Sequence, residues 1–420
     1  MGDATPERAA VPWPISHAPL QPWALEPRCE PAPFGRVGFL LNHEGAHQVA
    51  HAMPIALAMS AAYPDVRVEV FVAAGAAEAE ARRFAAAANS RITITTLKGA
   101  GWVGRAVSAL TGDCVPGERV SILSRNRGSF SALDALVVPE KTSLMLKSHF
   151  GLSDLPLIHT RHGAGDRAIG FDKASGRFDF ILLSGEKVLH RLKDLGHLQP
   201  DRFAIVGYPK FDQLATPQPR RRIFDNARPT VLYNPHASPC LSSWYLQGPE
   251  ILEFFARQTR FNLIFAPHVM LFAKRYQASL SPPGISRVPP VPGHIAKLPH
   301  IHVDLGSPAS VDMTYTRLAD IYLGDASSQV YEFLATPRPC IFVNARDLAW
   351  KGNANFMHWT TGPVVSDLAG LERALDEAQA RPGSYREVQE RLFAYTFDMT
   401  PELSAQRAAR AIIGWLKQRH

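Results

Sequence analysis

The stretch RVGFLLNHEG (Arg36–Gly45), followed by HQVAHAMPIALAMSAAYP (His47–Pro64) and VRVEVFVA (Val66–Ala73), decides the fold class. A short apolar run stopped by Asn, His and Gly reads as a strand buried on both faces. In the next stretch the apolar residues recur three and four apart, which predicts a helix. The third run is a strand again. Strand, helix, strand is the unit of a parallel sheet, because parallel neighbours need a long crossover.

The alternation continues outward from there. AAEAEARRFAAAA (Ala76–Ala88) is an Ala-rich helix, and RITITTL (Arg91–Leu97), LDALVVP (Leu133–Pro139), PLIHT (Pro156–Thr160), DFILLSG (Asp179–Gly185) and FAIVGYP (Phe203–Pro209) are strands. TPQPRRRIFDNARP (Thr216–Pro229) breaks the series with Pro and Arg and reads as a connection between domains. TVLYNP (Thr230–Pro235), the helix PEILEFFARQ, FNLIFAPH (Phe261–His268), HIHVDL (His300–Leu305), ADIYLGD (Ala319–Asp325) and CIFVN (Cys340–Asn344) restart it. The expected fold is α/β, two Rossmann-like doubly wound domains facing a central cleft. The expected divisions are a Pro-rich arm over 1–34, a first domain over 35–215, a linker over 216–228 and a second domain over 229–383. A helix over 384–420 would cross back to the first domain.

Composition narrows the class. The 420 residues are 46% hydrophobic and 20% charged, with 45 Lys and Arg against 38 Asp and Glu, a formal charge of +7. This excludes a disordered chain and a disulfide scaffold, and it suits a nucleotide, a phosphorylated polymer or an anionic membrane surface. No dense basic run or stripe marks nucleic-acid binding. The four cysteines have no CxxC spacing, so a structural zinc is not expected and the chain reads as reduced and cytoplasmic. No secretory h-region and no run of about 18 apolar residues is present.

In doubly wound sheets ligands sit beyond the carboxyl ends of the strands, so chemistry is sought there. His159-Thr160-Arg161-His162-Gly163-Ala164-Gly165-Asp166-Arg167 follows PLIHT. Its glycines permit close backbone approach, His162 can take a proton near pH 7, and Arg161 and Arg167 can grip phosphate. A strand-to-helix turn with solvated basic residues is the plainer reading. Gly324-Asp325-Ala326-Ser327-Ser328-Gln329-Val330-Tyr331-Glu332 follows ADIYL and opens a helical pattern. Its serines at a helix start suit a diphosphate, while Asp325 or Ser327 can equally be a simple cap. His268 ends a strand of the second half, Asn234 and His236 end another, and Lys210 lies in the turn Gly207–Asp212. GxxxxGK[ST], GxGxxG, HExxH and GxSxG are all missing.

The order of these motifs (a His-Gly loop after a strand, a GYP-x-x-D turn, a strand-end His and a D-x-S-S start) resembles the CDP-glycerol glycerophosphotransferase family. That family comprises the teichoic-acid primases and polymerases and related capsule enzymes. The resemblance implies the glycosyltransferase-B fold without a catalytic metal or cofactor. It also implies transfer of glycerol phosphate, or another alditol phosphate, from a CDP-linked donor to a polymer or lipid-linked acceptor. By this likeness His162 is the general base and His268 steadies the donor pyrophosphate. Ser327 and Ser328, with Gly163 and Arg167, bind phosphate, and Asp325 and Glu332 shape the donor site. Arg161, Lys210, Asn234 and His236 are further cleft candidates. Ala164-Gly165-Asp166-Arg167, Ala266-Pro267-His268-Val269 and Asp325-Ala326-Ser327-Ser328 depart from the family's usual forms. A nucleotide-sugar 2-epimerase, a plain glycosyltransferase and a non-catalytic nucleotide- or sugar-binding relative therefore stand as alternatives. Peripheral contact with the inner face of the membrane, through Arg220-Arg221-Arg222, Lys417 and Arg419, is weighed against an ordinary basic surface.

Overall fold

The computed structural model describes residues 35–43, 45–111, 115–215, 222–280 and 283–419. The Pro-rich arm, Arg220 and Arg221 lie outside them. Seven strands build the first sheet: β1 (Arg36–Leu41), β2 (Arg67–Val72), β3 (Thr93–Thr96), β4 (Ala135–Val138), β5 (Leu157–His159), β6 (Phe180–Leu183) and β7 (Phe203–Ile205). Their order is β3-β2-β1-β4-β5-β6-β7, and every pair is parallel.

The second half holds β8 (Thr230–Asn234), β9 (Asn262–Phe265), an antiparallel hairpin of β10 (Tyr276–Leu280) and β11 (Pro283–Arg287), β12 (Ile301–Val303), β13 (Ile321–Gly324), β14 (Cys340–Val343) and β15 (Val364–Val365). The second sheet runs β12-β9-β8-β13-β14-β15, again all parallel. Central strands such as β4, β9 and β14 are buried throughout, as strands covered on both faces must be.

Each sheet reverses its winding once, between β1 and β4 and between β8 and β13. The carboxyl ends of those four strands carry Asn42, Glu140, His236 and Asp325 within two residues of the strand.

The halves share elements. The helical tail is two helices, Arg386–Thr396 and Ser404–Lys417, where the sequence suggested one stretch, because Pro401 sits in the break between them. The second lays Ala405, Ala408, Ala409, Ile412, Ile413 and Leu416 into the core around the helix Val49–Ala62. Asp212 caps its start, accepting from the backbone nitrogens of Ser404 (3.0 Å) and Ala405 (2.7 Å). Gly207 has φ +83, and a Cβ there would meet Ser404 Oγ at 2.5 Å, so the GYP turn requires glycine.

The elements that sequence periodicity missed include the helices Trp102–Thr111, Gly117–Phe130, Glu186–Asp194 and Leu368–Ala380, as well as the hairpin and β15. The reason is chemical for the first helix. It buries small residues, Gly104 and Ser108, and turns Trp102 (77% exposed), Val103 and Leu110 (87% exposed) outward. The usual amphipathic rule is inverted there.

Candidate active site

The loop after β5 and the loop after β13 meet across the cleft. Gly163 has φ +73, and a Cβ on it would stand 3.4 Å from Ser328 Oγ; one on Gly165 would stand 3.1 Å from Ser328 Cβ. The two glycines therefore let the first-half loop lie directly on the serine of the second half.

His162 is 41% exposed, and its Nδ1 lies 2.9 Å from the Pro139 carbonyl oxygen. A carbonyl only accepts, so Nδ1 carries the proton and Nε2 the lone pair. Glu140 Oε1 is 3.9 Å from that Nε2.

The second half faces this base with neutral donors. The His236 and His268 rings are 5.2 Å apart. Each has Nδ1 turned to a backbone N–H, from Ser238 (2.9 Å) and Met270 (3.2 Å), so the proton of each neutral ring sits on Nε2. Burial, then the charges of Arg167 and His162, push His268 down to about 4. Burial, Arg167 and His268 hold His236 well below the ordinary histidine range. At pH 7 both are uncharged N–H donors. Arg167 is half-buried, and among the described residues its guanidinium makes no hydrogen bond or ion pair. Burial lowers its pKa and Asp325 opposes the change, yet an arginine remains charged. An unpaired guanidinium beside two neutral imidazoles has the chemistry to meet an anion.

The structure thus brings His162, Gly163, Arg167, His236, His268 and Ser328 together. Other expected residues are used internally. Asp325 is fully buried and accepts from the nitrogens of His236 (2.9 Å), Ser243 (2.7 Å) and Ala326 (2.6 Å) and from Ser243 Oγ (2.9 Å). It fixes the loop after β8 and the start of the helix Trp244–Arg257, and does not cap the turn Val330–Phe333 that follows it. Burial raises its pKa against those donors. The helix expected at the serine pair is a single turn, Val330–Phe333, so no helix dipole of consequence points at Ser327 or Ser328. Ser327 is buried, its Oγ 3.4 Å from the Gln329 nitrogen.

Glu332 and Lys210 are both buried and pair at 2.5 Å through Oε1, a bridge from one half to the other, while Glu332 Oε2 is buried without a hydrogen-bond partner. Asn234 gives Nδ2 to Ala266 O (2.6 Å) and takes Tyr322 OH (3.2 Å) on Oδ1. Arg161 turns back to Gly170 O (2.8 Å) and lies over the Phe171 ring.

The sequence reading missed a second bridge. Asp166 is buried and accepts from Lys187 Nζ (2.8 Å), Tyr331 OH (2.6 Å), and the backbone nitrogen (2.9 Å) and Nδ1 (2.8 Å) of His358. Burial alone would raise its pKa, but Lys187 and His358 overcome that and hold it well below the carboxylate range. Burial brings Lys187 down to about 8 against the pull of Asp166. His358 also places Nε2 2.9 Å from Asp325 O, so one imidazole props the base loop against the donor loop. A signal was present, since Asp166 stands inside the quoted loop; its partners lie 21 to 192 residues away.

Among the described residues no group of three or more His, Cys, Asp and Glu is placed to hold a metal ion. Nor is any helix among them long and apolar enough to cross a membrane.

No family model matches the chain, and no curated protein matches it in sequence. Solved structures do match. Wall teichoic acid polymerase TagF aligns over 93% of this chain and 91% of its own, with a TM-score of 0.55 and 12% identity. A putative UDP-N-acetylglucosamine 2-epimerase from Listeria monocytogenes covers 91% of this chain and 96% of its own, at 0.57 and 12%. The UDP-GlcNAc 2-epimerase from Neisseria meningitidis, bound to UDP-GlcNAc, covers 91% and 100%, at 0.51 and 11%. The expected likeness to the teichoic-acid polymerases is therefore found in three dimensions, alongside an equal likeness to the epimerases. Two parallel doubly wound sheets across a cleft, shared with both groups over nine-tenths of the chain, give this protein the glycosyltransferase-B fold.

Proposed function

We propose that the chain is a transferase that moves an alditol phosphate, such as glycerol phosphate, from a CDP-linked donor to an acceptor hydroxyl in cell-surface polymer synthesis. In this reading residues 35–215 receive the acceptor and 229–383 hold the donor. The observation that carries it is His162: its Nδ1 is committed to Pro139 O, and its loop rests on Ser328 of the donor half.

The acceptor oxygen attacks the phosphorus bearing the alditol while Nε2 of His162 takes its proton. The bond from that phosphorus to the CMP oxygen breaks, and CMP leaves with the electron pair. Arg167 and the Nε2–H groups of His236 and His268 meet the charge on the diphosphate, donors already in place before the reaction. Lys210 and Glu332, with Asp166 and His358, keep the halves in register and are positioning residues.

The proposal extends to a cytoplasmic protein in peripheral contact with an anionic membrane that carries a lipid-linked acceptor. The outward apolar side chains of Trp102, Val103 and Leu110, with Lys98 and Arg105 exposed nearby, support that contact.

The 2-epimerase reading has equal support from fold likeness, and one experiment separates the two. Purified protein is incubated with CDP-glycerol and, separately, with UDP-N-acetylglucosamine, and nucleotide products are resolved by chromatography. CMP release that His162→Ala abolishes, with CDP affinity unchanged, supports the transferase. UDP release with an epimerised sugar establishes the alternative, and binding of either nucleotide without turnover establishes a non-catalytic relative.

A further inference from the structure

The first sheet reverses its winding between β1 and β4, and such a reversal leaves a crevice beyond the carboxyl ends of the two strands. Asn42, the residue after β1, is completely buried there, and neither its Nδ2 nor its Oδ1 has a hydrogen-bond partner. Gln48 Oε1, Thr142 Oγ1, Ser143 Oγ and Thr160 Oγ1 are buried and unpartnered as well. These groups come from the segments following β1, β4 and β5, three neighbouring strands. Native chains satisfy buried polar atoms almost everywhere, because an unmade hydrogen bond leaves the full desolvation penalty standing. Several orphans beyond the ends of three adjacent strands call for a ligand.

We infer that this crevice is a binding subsite for a neutral polyhydroxyl unit, an alditol or a sugar, whose hydroxyls complete the bonds of Asn42, Gln48, Thr142, Ser143 and Thr160. The chemistry of the orphans selects that class. Amide and hydroxyl groups offer donors and acceptors together, and a polyol hydroxyl is the ligand group that uses both. An anion only accepts, so it would leave Asn42 Oδ1 and Gln48 Oε1 unpaired and meet the carboxylate of Glu140. An apolar chain would satisfy none of them.

The subsite connects to the base through a chain of direct contacts. Gln48 Nε2 donates to Glu140 Oε1, Arg119 holds Glu140 Oε2 at 3.2 Å, and Glu140 Oε1 lies 3.9 Å from His162 Nε2. Thr160 N bonds Val138 O at 3.0 Å, and His162 Nδ1 bonds the next residue of the chain, Pro139, on its carbonyl. A polyol lodged against Asn42 therefore extends toward the nitrogen that would deprotonate it. That the bound polyol is the acceptor rests on the proposed transferase; that the crevice takes a polyol does not.

The test uses Asn42→Leu, close in shape, in the full chain. Binding of glycerol, ribitol and N-acetylglucosamine is followed by saturation-transfer NMR, with inorganic phosphate as the anionic control and CDP and UDP titrated separately by calorimetry. The expected result is a higher melting temperature for ligand-free Asn42→Leu, with polyol affinity reduced at least tenfold and nucleotide affinity unchanged. Should Asn42→Leu fail to fold, Gln48→Met gives the polyol-affinity readout from the other side of the crevice, its melting temperature being set also by the lost bond to Glu140.

A lower melting temperature with intact polyol binding overturns the inference, since the amide would then be served by structural water. Asn42-dependent binding of phosphate overturns it too. Wild-type protein that binds nucleotide but no polyol sinks the subsite and spares the transferase. Polyol binding without any nucleotide binding supports the subsite and ends the transferase reading.

Discussion

The two winding reversals of this molecule sit in the same place in similar sheets and hold opposite chemistry. Between β8 and β13 the carboxylate of Asp325 is saturated by four donors, and the groups left facing the cleft are Arg167, His236 and His268. Between β1 and β4 the orphans are neutral amides and hydroxyls beside the carboxylate of Glu140. On the function and the subsite proposed above, one crevice receives negative charge and the other receives hydroxyls. The shared topology decides where a ligand can sit; the side chains beyond the strand ends decide which ligand.

The comparison breaks most sharply at the base. His162→Ala is expected to lower turnover about 10³-fold, within the range ordinary for a general base, while CDP affinity measured by calorimetry stays within twofold. Turnover that persists would mean the polar crevice is not served by this imidazole.

Next in size is the strut between the crevices. Asp166→Ala leaves Lys187 and His358 buried without their counter-charge and should cost about 3–5 kcal/mol in urea unfolding. A loss under about 1 kcal/mol would show that the halves are not coupled through this carboxylate.

Arg167→Met tests the anionic side directly. Removing the cation should weaken CDP binding roughly 10- to 100-fold, the worth of a charged hydrogen bond. The orphan groups around Asn42 should be indifferent to it, and a matching loss of polyol binding would show that the two crevices are one site.

The smallest effect, taken per pH unit, is a pH dependence. His268 sits at about 4 in the folded chain against an ordinary 6.5, with burial the main cause. Between those values the unfolded chain binds a proton that the folded one does not, so stability is lost as the pH falls from about 6.5 to about 4. The slope is up to roughly 1.4 kcal/mol per pH unit for a single group. A bound nucleotide diphosphate raises the folded pKa and should flatten the slope, which thermal melts with and without CDP would reveal.

Much of the fold was legible because parallel strands buried on both faces are written as unbroken apolar runs, as in FILL (Phe180–Leu183) and CIFV (Cys340–Val343). The helix Trp102–Thr111 was not legible, since it buries glycine and serine and exposes tryptophan and leucine. Within the site, His162, Arg167, His268 and Ser328 follow strands as expected. Asp325, Lys210 and Asn234 carry the same residue types in the same kind of position, yet they are consumed by internal bonds, and Glu332 gives one of its two oxygens to Lys210. A sequence displays a residue's chemistry and its strand-end address, but not whether another part of the chain has already taken its hydrogen bonds.

What the sequence determined by itself was therefore local: where strands end, which residues stand just beyond them, and that two such series face one another. What only the tertiary structure decided was occupancy. Lys210 was taken by Glu332, 122 residues away, and Asp166 by His358, 192 away, whereas Asn42 was left with no partner. Hydrogen bonds saturate over about 3 Å, and which groups approach to that distance is a property of the packed chain alone.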